Sequence, residues 1–126
     1  MTTLTITPTT LNLNDIENEI PTTSSINLAA DGGNVNNITA TSSDSQLLLK
    51  VLTEDSTYSS SKTFSINDGQ TKTLGIQLTP TSEGDGLSLT FTIEHTGTST
   101  NQTITVNYSS YENLETFGVI RVNKII

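Results

Sequence analysis

Apolar and polar side chains alternate along most of this sequence with a period of two. In residues 87–94 every odd position is aliphatic or aromatic, and every even position is Ser, Thr or Glu. The same alternation recurs in residues 73–78 and 103–108. Because residues two apart lie on the same face of a strand, this pattern predicts strands with one buried and one solvated face.

Turn-forming residues separate these runs, as in Asp31-Gly32-Gly33, Asn67-Asp68-Gly69 and Thr96-Gly97. Residues 46–52 also fit a helical turn, but their Ser, Thr and Asp neighbours favour a strand. The predicted strands are residues 3–7 and 10–14 (one strand broken at Pro8), 24–29, 35–41, 46–52, 63–66, 71–79, 87–94 and 101–108, with 117–124 as a candidate last strand.

Short strands at this spacing predict an all-β fold, an immunoglobulin-like antiparallel β-sandwich of about eight or nine strands. We expect one domain, because 126 residues divided in two would leave each half little core. The predicted sandwich spans residues 1–108. Residues 109–126 are predicted to be a C-terminal extension, either the last strand or a docking tail of the same domain.

A family resemblance rests on residues 63–94. Phe64-Ser65-Ile66 ends one strand. An alternating strand follows, then Pro80-Thr81 and Gly86, and then a second alternating strand. This order resembles the ASH (MSP-like) branch of immunoglobulin-like domains over residues 3–106. Residues 15–21 look like an insertion, and residues 109–126 extend past the family's usual end. The resemblance implies a scaffolding or docking module, and the chain also resembles phage accessory capsid (decoration) proteins.

The composition narrows the classes of partner. Thr, Ser and Asn supply 52 of the 126 residues, and the net charge is −8. The five basic residues are scattered, so we expect neither nucleic acid nor a membrane as the partner. The chain has no cysteine, so disulfides, thiolate metal sites and a thiol nucleophile are excluded. No signal peptide is recognisable after Met1, so we expect synthesis in a host cytoplasm.

The sequence offers little catalytic chemistry. His95 is the single histidine, and no nucleophile motif accompanies it. Asp15, Glu17 and Glu19 share one side of an extended segment, and Glu83 and Asp85 flank a glycine, but neither set has the spacing of a calcium loop. We therefore predict a non-enzymatic protein with no catalytic residue, no metal and no cofactor, and leave calcium binding by an acidic loop as an open alternative.

Two regions are candidates for binding. Tyr58, in the polar segment 54–62, is the ring best placed to stack on a sugar. Residues 117–126 form the most apolar ten-residue window and hold two of the basic residues. As a docking tail it would pair with a partner's sheet edge. The predicted partner-binding residues are Phe117, Val119, Ile120, Arg121, Val122, Lys124, Ile125 and Ile126.

Three functions follow from these observations. The first is a virion structural protein, an auxiliary or decoration subunit that binds a phage capsid or tail protein in many copies per particle. The second is a carbohydrate or cell-surface binding module. The third is a cytoplasmic docking module of the ASH type. Self-association through sheet edges or termini is compatible with the virion structural protein.

Overall fold

The computed structural model describes residues 2–95 and 101–112, which form nine strands in two facing sheets. Sheet A has the order β1-β3-β7-β5 and sheet B the order β2-β9-β8-β4-β6. This arrangement confirms the predicted immunoglobulin-like sandwich. The strands are β1 (Thr3–Thr7), β2 (Thr10–Glu17), β3 (Thr22–Asp31), β4 (Val35–Ser42), β5 (Leu47–Val51), β6 (Ser61–Ile66), β7 (Thr71–Leu78), β8 (Gly84–Glu94) and β9 (Gln102–Tyr111).

The chain crosses between the sheets at Pro8. β1 pairs with β3 in sheet A, whereas β2 pairs with β9 in sheet B, so the first two strands are not one interrupted strand. Proline suits this corner because it has no N–H to donate to a ladder. β2 and β9 run parallel, while every other pair among the described strands is antiparallel.

The ambiguous segment 46–52 is a strand. Residues 47–51 form β5, which pairs with β7 at the edge of sheet A. Leu47, Leu49 and Val51 are buried, whereas Leu48 and Lys50 are only partly exposed on the outer face. An apolar residue at Leu48 made the alternation hard to recognise.

The predicted end of the second strand at residue 14 is wrong, whereas the insertion at residues 15–21 stays a prediction. Asp15 to Glu17 belong to β2, where Ile16 is buried and pairs with Ser110 of β9. A bulge between Asn12 and Asp15 hides this continuation, because it shifts the alternation by one position. β9 runs to Tyr111, three residues past the boundary predicted at 108. The candidate strand 117–124 lies outside the described residues, and the C-terminal extension stays a prediction.

The core lies between the sheets and is built from the alternating positions. Phe91 is the largest of its fully buried side chains. From β8 it projects into aliphatic neighbours that both sheets supply, and Tyr108 closes the same face of β9. The buried aliphatic residues number more than a dozen, so at roughly 1.5–3 kcal/mol each their burial offsets a large share of the chain entropy lost on folding.

Replacing Phe91 with Ala tests this core. Phe91 is 1% exposed, and a Phe-to-Ala change at such a site costs about 3–5 kcal/mol because a cavity remains. The neighbouring Thr92 faces solvent, so Thr92→Ala should change stability by less than about 0.5 kcal/mol. Urea unfolding of both variants measures the difference, and equal losses would contradict the burial pattern.

Candidate functional site

The predicted docking residues Phe117, Val119, Ile120, Arg121, Val122, Lys124, Ile125 and Ile126 lie outside the described residues. The structure does show where the last described residues lie. β9 ends at Tyr111, and the Glu112 N–H donates a hydrogen bond to Glu83 Oε1 at 3.1 Å. Glu112 therefore lies at the end of the sandwich where β2 and β9 finish and β8 begins.

This end of the sandwich is strongly acidic. Six of the twelve described carboxylates lie on the last residues of β2, on the turns that follow β2 and precede β8, at the start of β8, and just past β9. None of the described lysines lies on these segments. We call this surface the carboxylate end; its acidic residues are Asp15, Glu17, Glu19, Glu83, Asp85 and Glu112.

Two exposed apolar side chains belong to the same surface. Ile20 and Tyr111 are each 48% exposed, and Leu52 is the only other large apolar side chain exposed in the described part of the chain. The turn that carries Ile20 is held in place by backbone hydrogen bonds. The Asn18 N–H donates to the Tyr111 carbonyl at 2.7 Å, and the Glu19 N–H donates to the Pro80 carbonyl at 2.8 Å.

Two buried polar atoms at this end lack hydrogen-bond partners. Asn18 Oδ1 follows β2, and Ser110 Oγ sits on the core side of β9 next to Tyr111. Such atoms usually cost about 1–3 kcal/mol each when they stay unpaired. Glu19 also has a positive φ of 65°, which is uncommon for a residue with a side chain. Exposed apolar side chains, unpaired buried polar atoms and an uncommon backbone conformation therefore occur together at this end.

A second surface is the outer face of sheet B, which is polar but nearly uncharged. Register places hydroxyls side by side across the strands, with Thr41 beside Thr92 and Thr92 beside Thr103. Neighbouring Asn12 and Asn107 are joined by an amide hydrogen bond of 3.0 Å. We call it the hydroxyl face; its residues are Asn12, Thr39, Thr41, Ser88, Thr90, Thr92, Thr103, Thr105 and Asn107.

Tyr58 does not form an open platform for a sugar. The residue is half-buried, and the Lys50 Nζ lies 4.7 Å from the centre of its ring. The Tyr58 hydroxyl points toward Gly75, where a Cβ atom would come within 3.5 Å of it. Leu52 occupies the rest of the space above Gly75. One face of the ring is therefore already used by the ammonium group, which weakens the carbohydrate alternative.

The segment between β5 and β6 is fixed against sheet A and covers its edge. Ser59 exchanges two backbone hydrogen bonds of 2.8 Å with Leu49 of the edge strand. Asp55 Oδ2 accepts a hydrogen bond from the Val51 N–H at 2.8 Å and lies 3.7 Å from Lys62 Nζ. Because covered edges resist unwanted strand pairing, this segment protects β5.

A polar recess of about 570 Å³ lies where this segment meets the β6–β7 turn. An ion pair between Lys72 and Glu54 crosses it. Its lining is entirely polar and open to solvent, with no ring to stack on a ligand. The lining residues are Thr53, Glu54, Ser65, Asn67, Gln70, Thr71 and Lys72.

The remaining candidates for chemistry are His95 and the acidic loops. His95 directly follows β8, and its backbone N–H donates to Asn101 Oδ1 at 3.1 Å. Within residues 2–95 and 101–112 no three His, Asp or Glu side chains are grouped so that they could hold a metal ion, so the calcium alternative gains no support there. The same residues contain no helix that could cross a lipid bilayer.

Comparisons with known proteins bear on the fold. Neither a family model nor a curated protein matches this sequence. A solved family 123 glycoside hydrolase from Clostridium perfringens, described for glycolipid glycan hydrolysis, is similar to 89% of the chain with a TM-score of 0.67 and 12% identity. This chain spans only 27% of that hydrolase.

The ASH/PapD-like domain 7 of human CEP192 is also similar, with a TM-score of 0.64 and 13% identity over 87% of this chain and 86% of that domain. At these identities the likeness shows the fold alone. It supports the immunoglobulin-like sandwich fold that the sequence predicts. The resemblance to phage decoration proteins is not addressed by either structure and stays a prediction.

Asp55 provides a test of how the β5–β6 segment is held. Asp55→Ala removes the acceptor for the Val51 N–H, so we expect a loss of about 1–2 kcal/mol. Asp55→Asn keeps an acceptor and removes only the charge near Lys62, so it should cost about half as much or less. Urea unfolding measures both, and equal losses would show that the ion pair matters more than the hydrogen bond.

Tyr108 should make the fold sensitive to alkali. Burial, and to a smaller extent the nearby Asp44 carboxylate, raise the pKa of Tyr108 above its ordinary value of 10.0. The unfolded chain therefore loses this proton at lower pH than the folded chain, and stability falls as the pH rises through about 10. Tyr108→Phe should flatten the pH dependence of unfolding between about pH 9 and pH 11. An unchanged slope would contradict the assignment.

Proposed function

We propose that this chain is a non-enzymatic protein-docking module of a larger assembly. In this proposal the carboxylate end and residues 117–126 together form its docking region. The observation that supports it best is that Ile20 and Tyr111 are exposed at the end of the sandwich where β9 finishes, a few residues before the most apolar segment of the sequence.

The composition of this region is that of a binding surface. Aromatic and arginine side chains are enriched at the centre of protein interfaces, and the region offers Tyr111, Phe117 and Arg121. A partner that covers Ile20 and Tyr111 would remove their exposed apolar surface from water. The region would thereby contribute apolar burial to the complex.

The assembly that we favour is a virion, in which the chain would be an auxiliary or decoration subunit on a capsid or tail protein. The sequence supports this version through a cysteine-free, hydroxyl-rich domain. A cytoplasmic docking module of the ASH type would use the same region on a different partner. The two versions differ in partner identity and copy number, not in the docking surface.

Substitutions in the tail test the docking region. We expect Ile120→Ser with Val122→Ser to weaken binding to purified particles at least about tenfold, because two apolar side chains no longer leave water. Thr90→Ala with Thr92→Ala on the hydroxyl face is the matched control and should leave binding within about twofold. Cosedimentation with particles that lack the chain measures both.

Two results would count against the proposal. If the hydroxyl-face variant loses binding and the tail variant keeps it, the docking region is misplaced. If mass spectrometry of purified particles never detects the chain, the virion version fails, and a pull-down of a single cellular partner would then favour the ASH-type module.

A further inference from the structure

β6 lies at the edge of sheet B and pairs with β4 alone among the described strands. Just before β6 begins, the Ser42 N–H donates to the Ser60 carbonyl at 2.8 Å, and the register of the two strands places these residues opposite each other. Backbone groups along an antiparallel strand point alternately to its two sides. Every second residue from Ser60 onward therefore bonds to β4, and the residues between direct their N–H and C=O away from the sheet.

Thr63 and Ser65 carry such outward groups. Two observations agree with this direction. Ser59, an even number of residues earlier, makes both of its backbone hydrogen bonds with Leu49 on the outward side. The hydroxyls of Thr39 and Thr63 lie 3.3 Å apart, as side chains do in a pair that exchanges no backbone bonds. No hydrogen bond within residues 2–95 and 101–112 uses the two N–H and two C=O groups of Thr63 and Ser65.

The usual protections of an edge strand are missing from this part of β6. Natural edges are blunted by proline, by charged side chains or by a covering loop. Residues 63–66 contain neither proline nor a charged residue. Lys62 precedes them, and its ammonium group lies 3.7 Å from the Asp55 carboxylate. Ser65 lines the polar recess of about 570 Å³, so the space beside the strand is open to solvent there.

The other three sheet edges are less suited to receive a strand. β5 is covered at Leu49 by the segment that precedes β6. β2 contains a bulge and carries Asp15 and Glu17, which would repel another acidic chain. β1 has only five residues and is followed by Pro8. β6 is therefore the edge at which a further strand pairs with the smallest penalty.

The strand that fits this edge best is β6 of a second copy. When two such strands run antiparallel with Phe64 opposite Phe64 of the second copy, Thr63 lies opposite Ser65 on both sides of the two-fold axis. Each of these two pairs exchanges two backbone hydrogen bonds, so every outward group of Thr63 and Ser65 is used. The side chains also match, because hydroxyls meet hydroxyls on one face and Phe64 meets its equivalent on the other.

The charge distribution favours the same contact. Each copy has a net charge of −8, so two copies repel each other except where carboxylates are absent from the surface. Residues 61–66 contain no acidic side chain. In this register Lys62 lies opposite Ile66 of the second copy, and the two lysines are about 13 Å apart along the strands. No pair of like charges meets across the contact.

We propose that two copies of this chain pair through β6, antiparallel about a two-fold axis at Phe64, so that their two five-stranded B sheets form one continuous sheet. The inference goes beyond the proposed function and does not depend on it. The carboxylate end lies beside β2, at the opposite edge of sheet B, and stays open in the dimer.

Cysteine cross-links test the register, because the natural chain contains no cysteine. A mixture of Thr63→Cys and Ser65→Cys chains should form a mixed disulfide on mild oxidation, since the Cα atoms of such a pair lie about 5.5 Å apart. Either variant alone should stay reduced, because its two cysteines would be about 9 Å apart. Thr92→Cys mixed with Thr103→Cys, on the same outer face but away from β6, is the matched control and should not cross-link.

A proline substitution tests the backbone contact itself. Thr63→Pro removes an N–H that β4 does not use, so the fold should persist. Sedimentation velocity should show that the natural chain dimerises and that Thr63→Pro associates at least about tenfold more weakly. Thr63→Val keeps the N–H and should dimerise within about twofold of the natural chain. Added salt should strengthen the natural dimer, because it screens the repulsion between two acidic copies.

Three results would overturn the inference. The natural chain stays monomeric up to about millimolar concentration at high salt; or Thr63→Pro, shown to be folded by circular dichroism, dimerises as well as Thr63→Val; or the mixed cysteine variants give no more disulfide than the control pair. If Thr63→Pro does not fold, the cross-linking result decides alone. Particle binding by the natural chain is measured separately, so a failed dimer leaves the docking region untouched.

Discussion

The structure depends on the burial of every second side chain between two sheets. This constraint decides the position of each strand, because a shift of one residue would expose an aliphatic row and bury a row of threonines. It also explains how a chain with 32% hydrophobic residues and no disulfide can fold. The apolar residues are few, but nearly all of those described lie at positions that the alternation directs inward.

The same constraint leaves the outer surfaces free to differ. The outer face of sheet B carries hydroxyls and amides in register and little charge. The outer face of sheet A is partly covered by the β5–β6 segment, with Leu52 above Gly75 and Lys50 over Tyr58. Charge collects instead at the end where β2 and β9 finish. The domain thus separates a stable, polar body from one end that is acidic, partly apolar and incompletely hydrogen-bonded.

Much of this fold could be predicted from the sequence, because alternation and turn residues report burial directly. β8 and β9 follow from the alternation in residues 87–94 and 103–108. Prediction failed where the local alternation of apolar and polar residues disagrees with the observed strand pairing. The bulge before Asp15 displaced Ile16 from its expected position, and Pro8 concealed a change of sheet.

The candidate site was less predictable, because it depends on which distant segments meet. The apolar segment 117–126 was recognisable in the sequence, but the carboxylate end was not. Asp15 and Glu17 are far in sequence from Glu83 and Glu112, and only the pairing of β2, β8 and β9 brings them to one end. Tyr58 was misleading for the converse reason, since nothing local indicates that Lys50 covers its ring.

Hydrogen–deuterium exchange of the chain, free and in its natural assembly, tests most directly whether this acidic end is the docking region. We expect new protection in residues 13–20 and 108–112 on assembly, with residues 88–92 of the hydroxyl face unchanged. Protection confined to residues 88–92, with residues 13–20 exchanging as in the free chain, would contradict the account.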